Sequence, residues 1–209
     1  MIALFGGTFN PIHYGHLLIC EGIREEYNLE KVVFIPARIP PHKDKNEIIQ
    51  ASHRLEMAKL AIKDNPFFEV SDMELKREGS SYTIDTVRIY KNLYNIDRMG
   101  LILGADSLIN FETWRNFTDI FPLVDIYVAS RPDSDAQTLE KTIQRFENEF
   151  EAKINKYSLR TMDYSSTEIR DRISKGLSIK YLVPPAVEEY IYKAELYNDN
   201  CDGDVNGDK

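Results

Sequence analysis

Two histidines stand three residues apart in a glycine-rich stretch near the N-terminus, GGTFNPIHYGH. Gly6 and Gly7 carry no side chain, so a phosphate or a sugar can approach the backbone N–H groups closely. Gly15 lets the chain enter a helix tightly and leaves His16 in the first turn, where free N–H groups and the helix dipole attract an anion. His13 would lie on the same side. Two such imidazoles can donate to the charge that develops in phosphoryl or nucleotidyl transfer.

A simpler interpretation of the same residues is a turn with one buried histidine. The glycines and the position directly after an apolar strand favour the phosphate site. The stretch is neither a Walker A loop nor a G-x-G-x-x-G dinucleotide fingerprint, because both patterns are absent from it.

A second phosphate-binding candidate lies near the other end of the chain, in YSSTEIR. Ser166 and Thr167 begin a helix whose N-terminus can hold a phosphate, and Arg170 can supply a forked cationic clamp. Ser165 and Glu168 also have the spacing of an ordinary capping box, which is the alternative.

Three further loops carry polar residues after apolar strands. Asp106 follows Gly104 and can accept hydrogen bonds from ribose hydroxyls, and Arg131 stands before a proline where it can reach into a cleft. Thr83 begins a helix whose N–H groups could hold a carboxylate such as that of a pyridine ring, or it is an ordinary helix start. Trp114, the only tryptophan, is by default a core residue.

These loops must be positioned by the elements around them, and strand and helix patterns alternate along the chain. Apolar runs typical of buried strands cover residues 2–5, 32–37, 67–71, 100–103, 125–129 and about 156–161. Helical patterns cover residues 17–27, 51–64, 83–94 and 138–151, with two more from about 165 to 176 and from 185 to 197. This alternation predicts an α/β fold, a doubly wound parallel sheet with helices on both faces and ligands at the carboxyl ends of its strands.

Composition limits the class of protein. The 209 residues are 43% apolar, and the formal net charge is −8. The last eleven residues hold four Asp and one Lys, which supply −3 of that charge, so the body is mildly acidic. No basic surface for nucleic acid and no membrane segment is expected. Two distant cysteines indicate free thiols and a cytoplasmic location.

The two motifs together resemble a known superfamily. GGTFNPIHYGH is similar to the T/HxGH signature of nucleotidyltransferases, and YSSTEIR is similar to their ISSTxIR signature. The HxGH form preceded by GGTF resembles bacterial nicotinate-mononucleotide adenylyltransferases. Members often have Asp where this chain has Asn10, and Tyr164 replaces the usual Ile. The resemblance runs from about residue 2 to 197.

The resemblance implies a Rossmann-like sheet with a small C-terminal helical part. Residues 1–197 would form one nucleotidyltransferase domain with its C-terminal helices from about 165, and residues 198–209 a flexible acidic tail. The tail also resembles the first half of a calcium loop, which the chain does not complete.

The resemblance further implies transfer of the adenylyl group of ATP to nicotinate mononucleotide, giving nicotinate adenine dinucleotide and pyrophosphate in NAD biosynthesis. His16 would contact the reacting α-phosphate, and His13, Lys43 and Arg170 would hold phosphates. Lys43, in PPHK, is a solvated lysine in the alternative interpretation.

The ATP site would comprise Gly7, Thr8, Phe9, His13, Gly15, His16, Lys43, Gly104, Asp106, Arg131, Ser166, Thr167 and Arg170. The acceptor site would comprise Gly6, Gly7, Thr83, Asp106, Trp114 and Arg115, with the Trp114 ring stacked on the pyridine.

Magnesium would arrive with ATP, without protein ligands of its own. Two alternatives remain open: a sibling adenylyltransferase whose acceptor is nicotinamide mononucleotide or phosphopantetheine, and a non-catalytic nucleotide-binding regulator. Whether the chain forms a homo-oligomer also stays open.

Overall fold

A computed structural model describes residues 1–38, 48–77, 79, 81–130, 136–158 and 164–198. Six parallel strands form one sheet in the order β3-β2-β1-β4-β5-β6. The strands are β1 (Ile2–Gly7), β2 (Lys31–Pro36), β3 (Phe68–Val70), β4 (Met99–Gly104), β5 (Val124–Ser130) and β6 (Ile154–Ser158). The chain winds outward from β1 in one direction and from β4 in the other, so the strand order reverses between these two neighbours.

Helices connect the strands and cover both faces of the sheet. They are α1 (Tyr14–Glu26), α2 (Ala51–Ile62), α3 (Met73–Lys76), α4 (Thr83–Tyr94), α5 (Ala105–Ile109), α6 (Ala136–Phe150), α7 (Ser166–Ser174) and α8 (Pro185–Lys193). Three short 3₁₀ turns, Phe111–Thr113, Phe117–Asp119 and Phe121–Leu123, lead from α5 into β5. Within the described ranges, no helix is both long and apolar enough to cross a membrane.

The sheet separates two hydrophobic cores. Alternate residues of β1 point to opposite faces: Ala3 and Phe5 belong to one core and Leu4 to the other. The first core holds buried residues of α1, α2, α7 and α8, and the second holds those of α4, α5 and α6. Each face of the sheet is thus closed by helices, as its apolar strands require.

The predicted doubly wound α/β fold is confirmed, and several predicted boundaries are wrong. Helix α1 begins at Tyr14, not at residue 17, because its first turn holds glycine and polar residues that carry no apolar periodicity. Strand β6 (Ile154–Ser158) begins two residues earlier than predicted, and the predicted end, residues 159–161, lies outside the described residues. Helix α8 ends at Lys193 instead of residue 197, because Glu195 adopts a left-handed backbone conformation. Helices α3 and α5 were not predicted, since four or five residues are too few to show a helical period.

Candidate active site

Two glycines of the stretch that follows β1, Gly7 and Gly15, are packed too tightly for larger residues, whereas a Cβ on Gly6 would meet no atom within 4 Å. A Cβ placed on Gly7 would lie 2.6 Å from the Phe9 ring. A Cβ on Gly15 would lie 2.8 Å from the Cβ of Tyr164 and 3.0 Å from Nδ1 of His13. Carbon atoms in contact normally stay about 3.5–4.0 Å apart. The glycine of the HxGH motif therefore lets α1 approach His13 and the start of α7 at the same time.

The two motif histidines lie against each other. Their ring centroids are 3.7 Å apart and nearly parallel, and the His13 backbone N–H donates to Nδ1 of His16 at 3.2 Å. A neutral His16 ring that accepts at Nδ1 carries its proton on Nε2, the tautomer that can donate to a phosphate oxygen. His13 is buried and His16 is partly exposed. The prediction that both imidazoles lie on one side of the α1 N-terminus is confirmed.

The second motif meets the first at this loop. The Ser166 hydroxyl donates to the Pro11 carbonyl at 2.9 Å, and Nη1 of Arg170 donates to the Asn10 carbonyl at 2.9 Å. Nη2 of Arg170 lies 3.5 Å from the Thr167 hydroxyl. Residues about 155 positions apart in the chain thus form one wall, where the starts of α1 and α7 lie against the same loop.

Two side chains outside both motifs also hold this loop. Nη1 of Arg54, on α2, donates to the Thr8 carbonyl at 2.7 Å. The hydroxyl of Tyr197, beyond α8, donates to Oδ1 of Asn10 at 3.0 Å. Arg54 also donates to the carbonyls of Ile49 and Arg38, which precede α2, and its side chain is 1% exposed.

A cavity of about 400 Å³ opens beside the loop, on the sheet face covered by α4. Its floor is formed by strand residues and its walls by the loop, by α3 and α4, and by the turn after α5. The lining residues are Leu4, Gly6, Gly7, Thr8, Ile35, Ala37, Glu74, Ser81, Tyr82, Thr83, Thr86, Leu101, Leu103, Thr113, Trp114 and Arg115. It lies at the carboxyl ends of β1 and β4, where the strand order reverses and α/β folds bind ligands.

Five of the six predicted acceptor residues line this cavity: Gly6, Gly7, Thr83, Trp114 and Arg115. Trp114 is partly exposed and packs on Phe111 with ring centroids 4.8 Å apart, so one side is supported by the core. The guanidinium of Arg115 lies 4.6 Å from the centre of the Tyr82 ring. Thr83 is the first residue of α4. The cavity therefore has an aromatic side and a helix N-terminus that favours a carboxylate.

A buried polar pair adds a feature of this cavity that the sequence did not predict. Glu74 is 8% exposed and accepts a hydrogen bond of 2.6 Å from the Thr86 hydroxyl. The two residues stand twelve positions apart on α3 and α4, and helix α3 is too short for a sequence pattern to reveal.

The remaining predicted site residues fall into two groups. Gly104 and Asp106 are exposed at the end of β4 and the start of α5, at the same edge of the sheet, but they do not line the cavity. Lys43 and Arg131 lie outside the described residues, so their predicted roles stay predictions. The acidic tail 199–209 lies outside them as well.

The chain matches the protein-family model described as cytidylyltransferase-like over residues 4–172. A relative from Thermoanaerobacter sp. (strain X514) is 40% identical over 197 residues, which cover 94% of this chain and 93% of the relative. A relative from Dictyoglomus thermophilum is 43% identical over 197 residues, with 94% and 98% covered. Both bear the name "Probable nicotinate-nucleotide adenylyltransferase".

A solved structure gives the same fold. It is that of Plasmodium falciparum nicotinic acid mononucleotide adenylyltransferase complexed with NaAD, which is 20% identical and superposes with a TM-score of 0.78. The match covers 94% of this chain and 96% of that one.

The doubly wound sheet, the joined motifs and the family model define a nucleotidyltransferase of the cytidylyltransferase-like class. The level of identity to the curated relatives narrows this class further. The chain belongs to the nicotinate-nucleotide adenylyltransferase family.

Proposed function

We propose that this enzyme transfers the adenylyl group of ATP to nicotinate mononucleotide, which yields nicotinate adenine dinucleotide and pyrophosphate in NAD synthesis. The observation that carries the proposal is the junction of the two motifs beside the cavity, fixed by the Ser166 to Pro11 hydrogen bond. The wall formed at this junction, which we assign to phosphate binding, lies next to a pocket with an aromatic side. The family membership supports the choice of reaction.

The chemistry needs no general base. An oxygen of the mononucleotide phosphate attacks the α-phosphorus of ATP in line, a new P–O bond forms, and the bond to the pyrophosphate oxygen breaks. The attacking phosphate is already an anion, so catalysis consists of positioning and of stabilising the charge on the α-phosphate.

The chain's own groups supply both effects. Nε2–H of His16 donates to the α-phosphate, and His13 supports the His16 ring from 3.7 Å. The N-termini of α1 and α7, with Thr167 and Arg170, hold phosphate oxygens. Lys43 and Arg131 belong to the proposed ATP site as well.

The acceptor occupies the cavity of about 400 Å³. Its pyridine ring stacks on Trp114, and its carboxylate faces the N-terminus of α4 at Thr83. An amide would lose the attraction between a negative charge and this helix end, which favours nicotinate over nicotinamide.

Magnesium enters this proposal as part of the ATP complex. In the described part of the chain, no group of three or more His, Cys, Asp or Glu side chains is arranged to hold a metal ion. When bound to the triphosphate, magnesium offsets negative charge that builds up on the pyrophosphate. Cytoplasmic synthesis belongs to the same proposal.

A pyrophosphate-release assay with equal concentrations of nicotinate mononucleotide, nicotinamide mononucleotide and phosphopantetheine tests the function. We expect turnover to be fastest with nicotinate mononucleotide and its dinucleotide to accumulate in equal amount with pyrophosphate. Faster turnover with another acceptor would identify a sibling enzyme. ATP binding without pyrophosphate release for any acceptor would indicate a regulator.

A further inference from the structure

Arg54 is a buried cation at the edge of the candidate active site. Its side chain is 1% exposed, and its guanidinium donates to three backbone carbonyls. The acceptors are Thr8 at 2.7 Å, Ile49 at 3.2 Å and Arg38 at 3.3 Å. Thr8 belongs to the glycine-rich loop and lines the cavity. Arg54 thus ties helix α2 to the loop that carries the HxGH histidines.

The charge of Arg54 has no acidic partner among the described residues. Burial lowers the pKa of Arg54, and the group that opposes this effect is the phenol of Tyr197, not a carboxylate. A buried guanidinium is normally paired with a carboxylate, because the removal of a lone charge from water costs several kcal/mol. Carbonyl dipoles hold Arg54, and within the described ranges no carboxylate forms an ion pair with it.

Arg98 shows what an arginine with a purely structural role looks like in this fold. It donates to the carbonyls of Pro122 and Val124 and also forms an ion pair with Asp125. These residues lie at the amino ends of β4 and β5, opposite the edge that carries the site. Arg54 makes the same kind of carbonyl contacts, but no described carboxylate pairs with it.

We propose that Arg54 is a positioning residue for nucleotidyl transfer, and that the triphosphate of ATP supplies the negative charge that no carboxylate of the described residues places beside it. The inference rests on the proposed function. By fixing the Thr8 carbonyl, Arg54 sets the direction of the loop's N–H groups. The attraction between its charge and the triphosphate is stronger in the low-dielectric protein interior than it would be in water. Arg54 does this without touching the substrate.

Arg54 acts through its hydrogen bonds to the loop and through its charge, and substitutions separate these two effects. Arg54→Met fills much of the volume but removes both the hydrogen bonds and the charge. Arg54→Lys keeps the charge but loses the planar fork that reaches three carbonyls. Arg98→Met and Arg98→Lys are the matched controls, since they remove carbonyl contacts far from the site.

The experiment measures kcat/KM for ATP, the ATP Kd, the Kd for nicotinate mononucleotide and the Tm of all four variants. We expect Arg54→Met to lower kcat/KM for ATP by roughly 10²-fold, because misplacement by about 1 Å costs that much. Arg54→Lys should have a kcat/KM for ATP roughly tenfold higher than that of Arg54→Met, because lysine keeps the positive charge. The acceptor Kd should rise less than the ATP Kd, because the acceptor is also held by Thr83 and Trp114, for which no hydrogen bond to Arg54 is present among the described residues. The Arg98 variants should lose Tm but keep kcat/KM for ATP.

Several outcomes would overturn the inference. The first is a folded Arg54→Met variant with wild-type kcat/KM and ATP Kd. The second is an Arg54→Met variant that loses affinity for ATP and for the acceptor by the same factor. The third is an Arg98→Met variant of the same Tm that loses as much kcat/KM for ATP as Arg54→Met does. If Arg54→Met does not fold, Arg54→Lys decides, and an unchanged kcat/KM for ATP overturns the role. A wild-type enzyme that makes no dinucleotide refutes the proposed function instead, and the ATP Kd values then decide the role of Arg54.

Discussion

The tight packing at Gly15 leads to a prediction for Gly15→Ala. The added methyl group would lie 2.8 Å from Cβ of Tyr164 and 3.0–3.1 Å from the His13 ring. Overpacking of this kind costs about 1–3 kcal/mol. Alanine offsets about 1 kcal/mol of that cost, because it is a better helix former than glycine. The net loss of stability is therefore at most about 2 kcal/mol, or a Tm shift of several degrees in a chain of this size.

The loss of activity should be much larger than the loss of stability. To relieve the contact, α1 must move away from His13 or from the start of α7, and either movement displaces His16 from the phosphate-binding wall. A displacement of several tenths of an ångström to 1 Å predicts a fall in kcat of roughly 10²-fold. Pyrophosphate release measures kcat, and a thermal melt measures Tm in the same buffer.

Three variants make this prediction specific. Tyr164→Gly removes the opposing Cβ and should restore part of the activity of Gly15→Ala, whereas Tyr164→Ala keeps that atom and should not. Gly22→Ala, in the same helix, places its methyl group against the hydroxyl of Tyr157, the end of a flexible side chain, and should keep full kcat. A Gly15→Ala enzyme with near wild-type kcat, or equal rescue by both Tyr164 variants, would refute the argument.

Three other predictions concern single side chains. His16→Ala should reduce kcat by about 10²-fold or more with an unchanged circular dichroism spectrum, since it removes a donor to the reacting phosphate; a rate near normal would exclude His16 from the mechanism. Trp114→Ala should weaken acceptor binding by roughly 1–3 kcal/mol in a titration while the ATP Kd is retained, and an unchanged acceptor Kd would make Trp114 a core residue only. Burial raises the pKa of Tyr197, so the stability from its neutral phenol is complete below about pH 10 and declines as pH rises further. Tyr197→Phe should cost about 1–3 kcal/mol at pH 7 by removing a partner of Asn10, and denaturant titrations should show this difference shrinking above pH 10; a constant difference would contradict the assignment.

The sequence predicted the fold well because strands and helices alternate with strong periodicity. Local pattern also indicated the helix starts at His16 and Ser166, but the meeting of the two motifs was implied only by the resemblance to nucleotidyltransferases. The structure confirms that meeting through the Arg170 to Asn10 hydrogen bond.

The supports of the loop could not be predicted in this way. Arg54 has the sequence context of an exposed helical arginine, and its burial depends on where a loop more than forty residues earlier comes to lie. The helical pattern of residues 185–197 places Tyr197 in a final helix. In the structure it lies beyond a left-handed turn, and its hydroxyl donates a hydrogen bond to Asn10. Contacts between residues so far apart follow from tertiary packing, which leaves no local trace in the chain.

The hydrogen bond from Tyr197 to Asn10 also has a consequence for biosynthesis. The glycine-rich loop is completed by a side chain that is translated 187 residues after Asn10. Until Tyr197 has left the ribosome, the nascent enzyme holds β1 and its histidines without this hydrogen bond. Messages truncated before this codon should therefore yield polypeptides whose loop is incompletely anchored and whose ATP turnover is lower.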